Sequence, residues 1–141
     1  IEVWIGATAP AAINRTARLA EGWLGTPSST PQQAKEQLNQ YRQACAEHQR
    51  KPSAVALRRD IFIGASVRQA EEFRSHAVAK GYRGFPEDAL ICGDISQVAT
   101  QFAELFEAGF TDIIVRNMAS DQGQALATIE ALSDVKRQLR L

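Results

Sequence analysis

Gly6-Ala7-Thr8-Ala9, followed at once by Pro10, is the stretch of this 141-residue chain whose chemistry is easiest to name. Proline is well placed as a first helical residue, where its missing N–H is not needed. The free N–H groups of that first turn and the helix dipole suit an anion. Gly6 allows close backbone approach, and Thr8 adds a hydroxyl. The same residues also describe a plain strand-to-helix turn with Thr8 as its cap, and the two readings stand side by side. The second candidate is Arg116, at the end of the apolar run Ile113-Ile114-Val115. A guanidinium there must find an anion. A bound phosphate, an acidic substrate group, or a salt bridge to Asp60 or Asp112 would each serve. Asn117 beside it reads as a loop residue.

The other polar groups read as structural. Arg58, Arg59 and Asp60 lie inside an apolar strand, where alternation sends Arg59 to one face and Arg58 with Asp60 to the other. A buried Arg–Asp pair is the expectation. Arg15 and Arg18, on a helix, read as solvated or ion-paired. Cys45 and His48 are three apart, a spacing that could place two metal ligands on one helical face. They extend an apolar stripe with no set to complete four ligands, so core packing is expected and no metal. His76 reads as exposed and Trp23 as a core tryptophan. GxGxxG, Walker, GxSxG and HExxH patterns are absent. No residue stands out as a general acid or base, so the catalytic residues stay unassigned.

The elements that position these groups alternate. Strands are expected at Glu2–Ile5, Trp23-Leu24, Ala54–Ile63 and Thr111–Val115. Helices are expected over Pro10–Ala20, from Ser29-Thr30-Pro31 to about Gln49, from the Ser66–Gln69 capping box to about Lys80, from Gly93-Asp94 to Gly109, and over Asp121–Leu139. The second helix carries the stripe Ala34, Leu38, Tyr41, Cys45 and His48, at spacings of four, three, four and three. The last buries Ala125, Ile129, Leu132 and Val135. Gly81 to Phe85 reads as a loop. Four strand–helix units, with one additional helix before the fourth strand, mean a parallel sheet. The first and fourth strands are both apolar, which an open sheet tolerates poorly at its edges. A four-stranded piece of that kind is what half of a (β/α)8 barrel looks like.

Composition bounds the partners. Lys plus Arg and Asp plus Glu are 16 each, which argues against a nucleic-acid surface or a polybasic membrane anchor. No apolar run approaches the roughly 18 residues of a membrane span. Cys45 and Cys92 are far apart with no CxxC spacing, and a reduced, cytoplasmic protein is expected.

The blocks VWIGATAPAAINRTARLAEGWLG, ALRRDIFIGAS and LICGDISQVATQFAELFEAGFTDIIVRN, together with the closing helix, resemble in order and spacing the C-terminal half of luciferase-like monooxygenases. The resemblance covers nearly the whole chain. It is most specific at Arg15, Arg18, Ala20, Gly22 and Trp23 and from Gly93-Asp94 to Arg116. It implies an α/β fold of parallel units, strands five to eight of a TIM-type barrel, with residues 1–141 one half-barrel domain of a protein of about 250 residues or more. It also implies reduced FMN or coenzyme F420 as cofactor, either O₂ activation or hydride transfer on a small-molecule substrate, and a homo-oligomer. Gly6, Ala7, Thr8 and Arg116 then become cofactor-binding positions, the turn cradling the phosphate. The family often has Gly-Gly at this turn, and Ala7 departs from that. The alternative is a non-catalytic half-barrel that self-associates or pairs with another chain.

Overall fold

Caps fix where most of the helices begin. The computed structural model describes residues 1–140. Helix α2 (Pro31–Glu47) opens on a capping box, in which Thr30 Oγ1 accepts from the Gln33 N–H at 3.1 Å and Gln33 Oε1 accepts from the Thr30 N–H at 3.0 Å. Helix α3 (Val67–Ala79) starts under Ser66, whose Oγ accepts from the Gln69 N–H at 3.2 Å. Asp94 and Gln97 exchange bonds of 2.9 and 3.1 Å at the head of α4 (Ile95–Ala108). Asp121 caps α5 (Gln122–Gln138) through the Gln124 N–H at 2.9 Å. Helix α1 (Pro10–Leu19) differs. Its N-cap is Ala9, and no side chain accepts from its first turn.

The strands are β1 (Trp4–Gly6), β2 (Gly22–Gly25), β3 (Ala54–Ile63), β4 (Ile91–Gly93) and β5 (Asp112–Asn117). The chain divides into two compact units, one of Ile1–Arg58 with Phe106–Ile114, the other of Arg59–Leu105 with Val115 onward.

In the first unit β1 pairs parallel to β2 (Trp4↔Gly22 to Gly6↔Leu24), and β2 pairs parallel to the start of β3 (Gly22↔Ala54 to Gly25↔Leu57). A methyl at Gly22 would meet Trp4 Cδ1 at 2.7 Å, so the indole lies directly on this glycine. The Thr111 N–H donates to Val55 O at 2.8 Å as β5 approaches β3. Helices α1 and α2 pack on this sheet through Ile13, Ala17, Leu38 and Tyr41, all 1% exposed or less. Trp23, fully buried, stacks on Tyr41 at 5.3 Å and Phe110 at 6.3 Å.

In the second unit the end of β3 pairs parallel to β4 (Ile61↔Ile91 to Ile63↔Gly93). The Met118 N–H donates to Ile61 O at 2.9 Å. Phe62 stacks on Phe73 at 3.8 Å and joins a cluster with Ala70, Tyr82, Leu90 and Cys92. Helix α5 buries Thr128 and Val135, and the Thr128 hydroxyl reaches Ile63 O at 3.5 Å.

Three expectations are corrected here. The additional helix has its own strand, β4, so the described residues form five strands rather than four. Gly81–Phe85 is not plain loop, since Tyr82–Gly84 forms a 3-10 turn and residues 81–84 all have positive φ. Ile129 is 56% exposed, because Thr128 and not Ile129 turns toward β3. Among the described residues, no helix is long and apolar enough to cross a membrane.

Candidate functional site

A cavity of about 260 Å³ opens where β1 and β2 end, lined by Gly6, Ala7, Thr8, Leu24, Gly25, Thr26, Pro27 and Arg58. The register explains the lining. β2 runs out at Gly25 opposite Leu57, so Arg58 is the first residue of β3 beyond that pairing. It is half-buried, between the fully buried Leu57 and Arg59.

Trp23 holds the turn in place. Its Nε1–H donates to Ala7 O at 2.9 Å from a fully buried position, and the Ala7 N–H donates to Leu24 O at 3.4 Å. The indole therefore is the core tryptophan the sequence implies and also the pin of the Gly6–Thr8 turn. Thr8 is exposed at the cavity and does not cap α1. With Pro10 at N1, the first turn of α1 presents N–H groups that no side chain satisfies, and such a helix start favours negative charge. Thr26 brings one more hydroxyl to the lining, and Ser28 Oγ lies 3.0 Å from it, outside the cavity.

The cavity is smaller than the roughly 300–1,000 Å³ that small-molecule sites occupy. Its donors (a guanidinium, hydroxyls and an uncapped helix start) suit a small anion. Gly6, Ala7 and Thr8 are thus brought together with Arg58.

Arg116 belongs to the other unit, on the exposed side of β5. Neither carboxylate expected for it is its partner. Asp60 Oδ2 takes Arg83 Nη1 at 2.8 Å, and Asp112 Oδ2 accepts from the Thr111 hydroxyl at 2.6 Å. Asn117 is structural, donating to Ala125 O at 2.9 Å and accepting from the Ala119 N–H at 3.0 Å.

The buried Asp60 of the expected Arg–Asp pair takes its arginine from outside the strand: Arg83 Nη1 reaches it, with Tyr82 beside it, while Arg58 faces the cavity. Arg83 also lies 4.5 Å over the Phe85 ring. Burial pushes the Tyr82 hydroxyl up to about 12 and holds Arg59 down to about 10.

Cys45 and Cys92 are free and buried, and burial raises both thiols. His48 pairs with Asn14 Oδ1 at 3.2 Å, while His76, Arg15 and Arg18 are exposed. The described residues contain no group of three or more His, Cys, Asp or Glu placed to hold a metal.

Arg58 is a site group that the sequence alone does not single out. The signal was present in part, as a charge inside an apolar strand, but its meaning depends on where β2 stops.

Solved structures similar to the chain share its architecture. Monooxygenase RslO1 from Streptomyces bottropensis matches at a TM-score of 0.78 and 15% identity, over 99% of this chain and 48% of that one. An F420-dependent secondary alcohol dehydrogenase, in complex with an F420-acetone adduct, matches at 0.75 and 12%, over 100% and 49%. The oxygenating constituent of 3,6-diketocamphane monooxygenase from the CAM plasmid of Pseudomonas putida, a type II Baeyer–Villiger monooxygenase in complex with FMN, matches at 0.65 and 15%, over 94% and 47%. The chain thus spans about half the length of these structures. Comparison with curated proteins finds no match. At such identities the likeness shows the fold, the parallel βα units of TIM-type barrels. The family is carried by sequence: the luciferase-like monooxygenase family model matches residues 1–88, and the chain belongs to that family.

Proposed function

We propose that this chain is the C-terminal half, strands five to eight, of a luciferase-like monooxygenase or oxidoreductase that uses FMN or F420, and that it holds the cofactor phosphate. On this reading β1, β2, β3 and β5 are the four barrel strands and β4 is a short addition. The observation that carries it is the conjunction of Arg58 with the uncapped start of α1 around one cavity. When bound, reduced FMN would activate O₂, or F420 would exchange a hydride. The protein's share is binding, orientation and exclusion of water. Arg58 neutralises the phosphate, the N–H groups at the start of α1 and the Thr8 hydroxyl hold it, and Trp23 keeps that turn still. Arg116 remains available for an acidic group of cofactor or substrate. Two free, buried cysteines support a cytoplasmic location.

Titration of the chain with FMN, riboflavin and F420, following Trp4 and Trp23 emission, tests this. FMN should saturate, riboflavin should bind at least about tenfold more weakly, and Arg58→Ala should remove most of that difference, since charge-assisted bonds contribute about 1.5–3 kcal/mol. Absence of saturation with both FMN and F420 would overturn the cofactor-binding role.

The second reading, a half-barrel that self-associates, is favoured by β1. Val3, Trp4 and Ile5 are 49%, 38% and 37% exposed, with no lysine or proline to protect the strand. Light scattering should then show a dimer that Trp4→Lys dissociates. A monomer before substitution refutes this reading.

A further inference from the structure

Trp4 stands on β1 just before the cavity and on the same face of the sheet. In the parallel register Trp4 pairs with Gly22 and Gly22 with Ala54, while Gly6 pairs with Leu24 and Leu24 with Ala56. Alternation puts Trp4 and Gly6 on one face and continues that face along β3 from Ala54 and Ala56 to Arg58. Trp23, between Gly22 and Leu24, points the opposite way, into its stack with Tyr41 of α2. The face of Trp4 is therefore the one that carries Gly6, Leu24 and Arg58 of the cavity and that α2 does not cover.

The indole is held from two sides. It lies on Gly22, where a methyl group would meet its Cδ1 at 2.7 Å and its Cγ at 3.0 Å. Its N–H faces Glu2, whose carboxylate is held below the usual range first by the Ser53 hydroxyl and then by this indole. Fixed in this way, Trp4 is still 38% exposed. A rigid aromatic surface left open suits a flat partner, since rings gain by offset stacking.

We propose that Trp4 is the platform on which the planar ring of the ligand rests, while the ligand's anionic end occupies the cavity. Two residues of strand, about 6.7 Å, separate Trp4 from Gly6. The ribityl chain that joins ring to phosphate in FMN covers a separation of that order. The inference rests on the phosphate-cavity reading and adds the residue that recognises the ring.

The test is titration of the full chain with two probes. Oxidised FMN is followed by its own emission. Ribitol 5-phosphate, which keeps the chain and phosphate without the ring, is followed by its displacement of FMN. Trp4→Ala should weaken FMN about fivefold or more, the scale of base–aromatic stacking, and leave ribitol 5-phosphate within about twofold. Trp4→Phe keeps a ring over Gly22 and should hold FMN within about threefold. Arg58→Ala should weaken both probes alike. FMN affinity unmoved by Trp4→Ala, or both probes weakened equally by it, overturns the platform while the cavity reading stands. In the first case, a dimer by light scattering assigns this face to a second copy. Ribitol 5-phosphate that never displaces FMN, or FMN that never saturates, overturns the cavity reading and this inference with it.

Discussion

Replacing Trp23 by phenylalanine keeps a ring between Tyr41 and Phe110 and removes the donor that Nε1 supplies to the carbonyl of Ala7. That bond is 2.9 Å long and buried. An acceptor stripped of its partner in such a place costs about 1–3 kcal/mol. The smaller ring leaves on the order of 35–40 Å³ unfilled, which at about 24 cal/mol per Å³ adds roughly 1 kcal/mol. A total loss of about 2–4 kcal/mol follows. The control lies in the same stack. The Tyr41 hydroxyl is buried, with burial raising its pKa, and has no partner of good geometry, so Tyr41→Phe should stay within about 0.5 kcal/mol of the parent or exceed it. Urea unfolding followed by far-ultraviolet circular dichroism measures both variants, and FMN affinity should fall only in the first. Equal midpoints for the two would refute the assignment of Trp23 as the pin of the turn.

Other expectations concern the second unit. Arg83→Ala strands the buried Asp60 carboxylate and should cost about 2–4 kcal/mol, with Arg59 close enough to limit the loss. Arg83→Gly should be milder by about 1 kcal/mol in the same unfolding assay, because Arg83 sits at φ 56° and glycine adopts that conformation without strain. Tyr82 keeps its proton to about pH 12 in the folded state and loses it near its ordinary value of 10 when unfolded, so stability falls as pH rises through that window. Arg59, held down to about 10, acts in the opposite sense. Tyr82→Phe should therefore flatten the alkaline decline in a pH series of midpoints, and an unchanged slope would argue against it. Gly64→Ala would place a methyl 2.9 Å from both Ala70 N and Ser66 O, and should lower stability by about 1–3 kcal/mol, read as a drop in melting temperature.

What the sequence disclosed, it disclosed through local chemistry. Thr30–Gln33 and Ser66–Gln69 announce helix starts because the bonds they make span three residues. The apolar run from Ala54 to Ile63 marks its strand without help from elsewhere. What stayed hidden depended on partners distant in the chain. Ile91–Gly93 is three residues long, too short for alternation to appear, and becomes a strand only against Ile61–Ile63. On the last helix, Ile129 and Thr128 compete for the inward face, and the Ile63 carbonyl decides for threonine. Arg58 reads as one of three charges inside a strand until the end of β2 is known. Asp60 finds Arg83 across 23 residues of chain, beyond any local pattern.

The run of positive φ at Gly81, Tyr82, Arg83 and Gly84 has a consequence for how this protein comes apart. Each L-residue held left-handed costs roughly 1–2 kcal/mol, so the two between the glycines store energy their own backbone would release. One is restrained by its ring in the Phe62 cluster, the other by its guanidinium on Asp60. Amide exchange at these positions should be faster than in β3 beside them, and limited proteolysis should find its first cut here once either side chain is shortened.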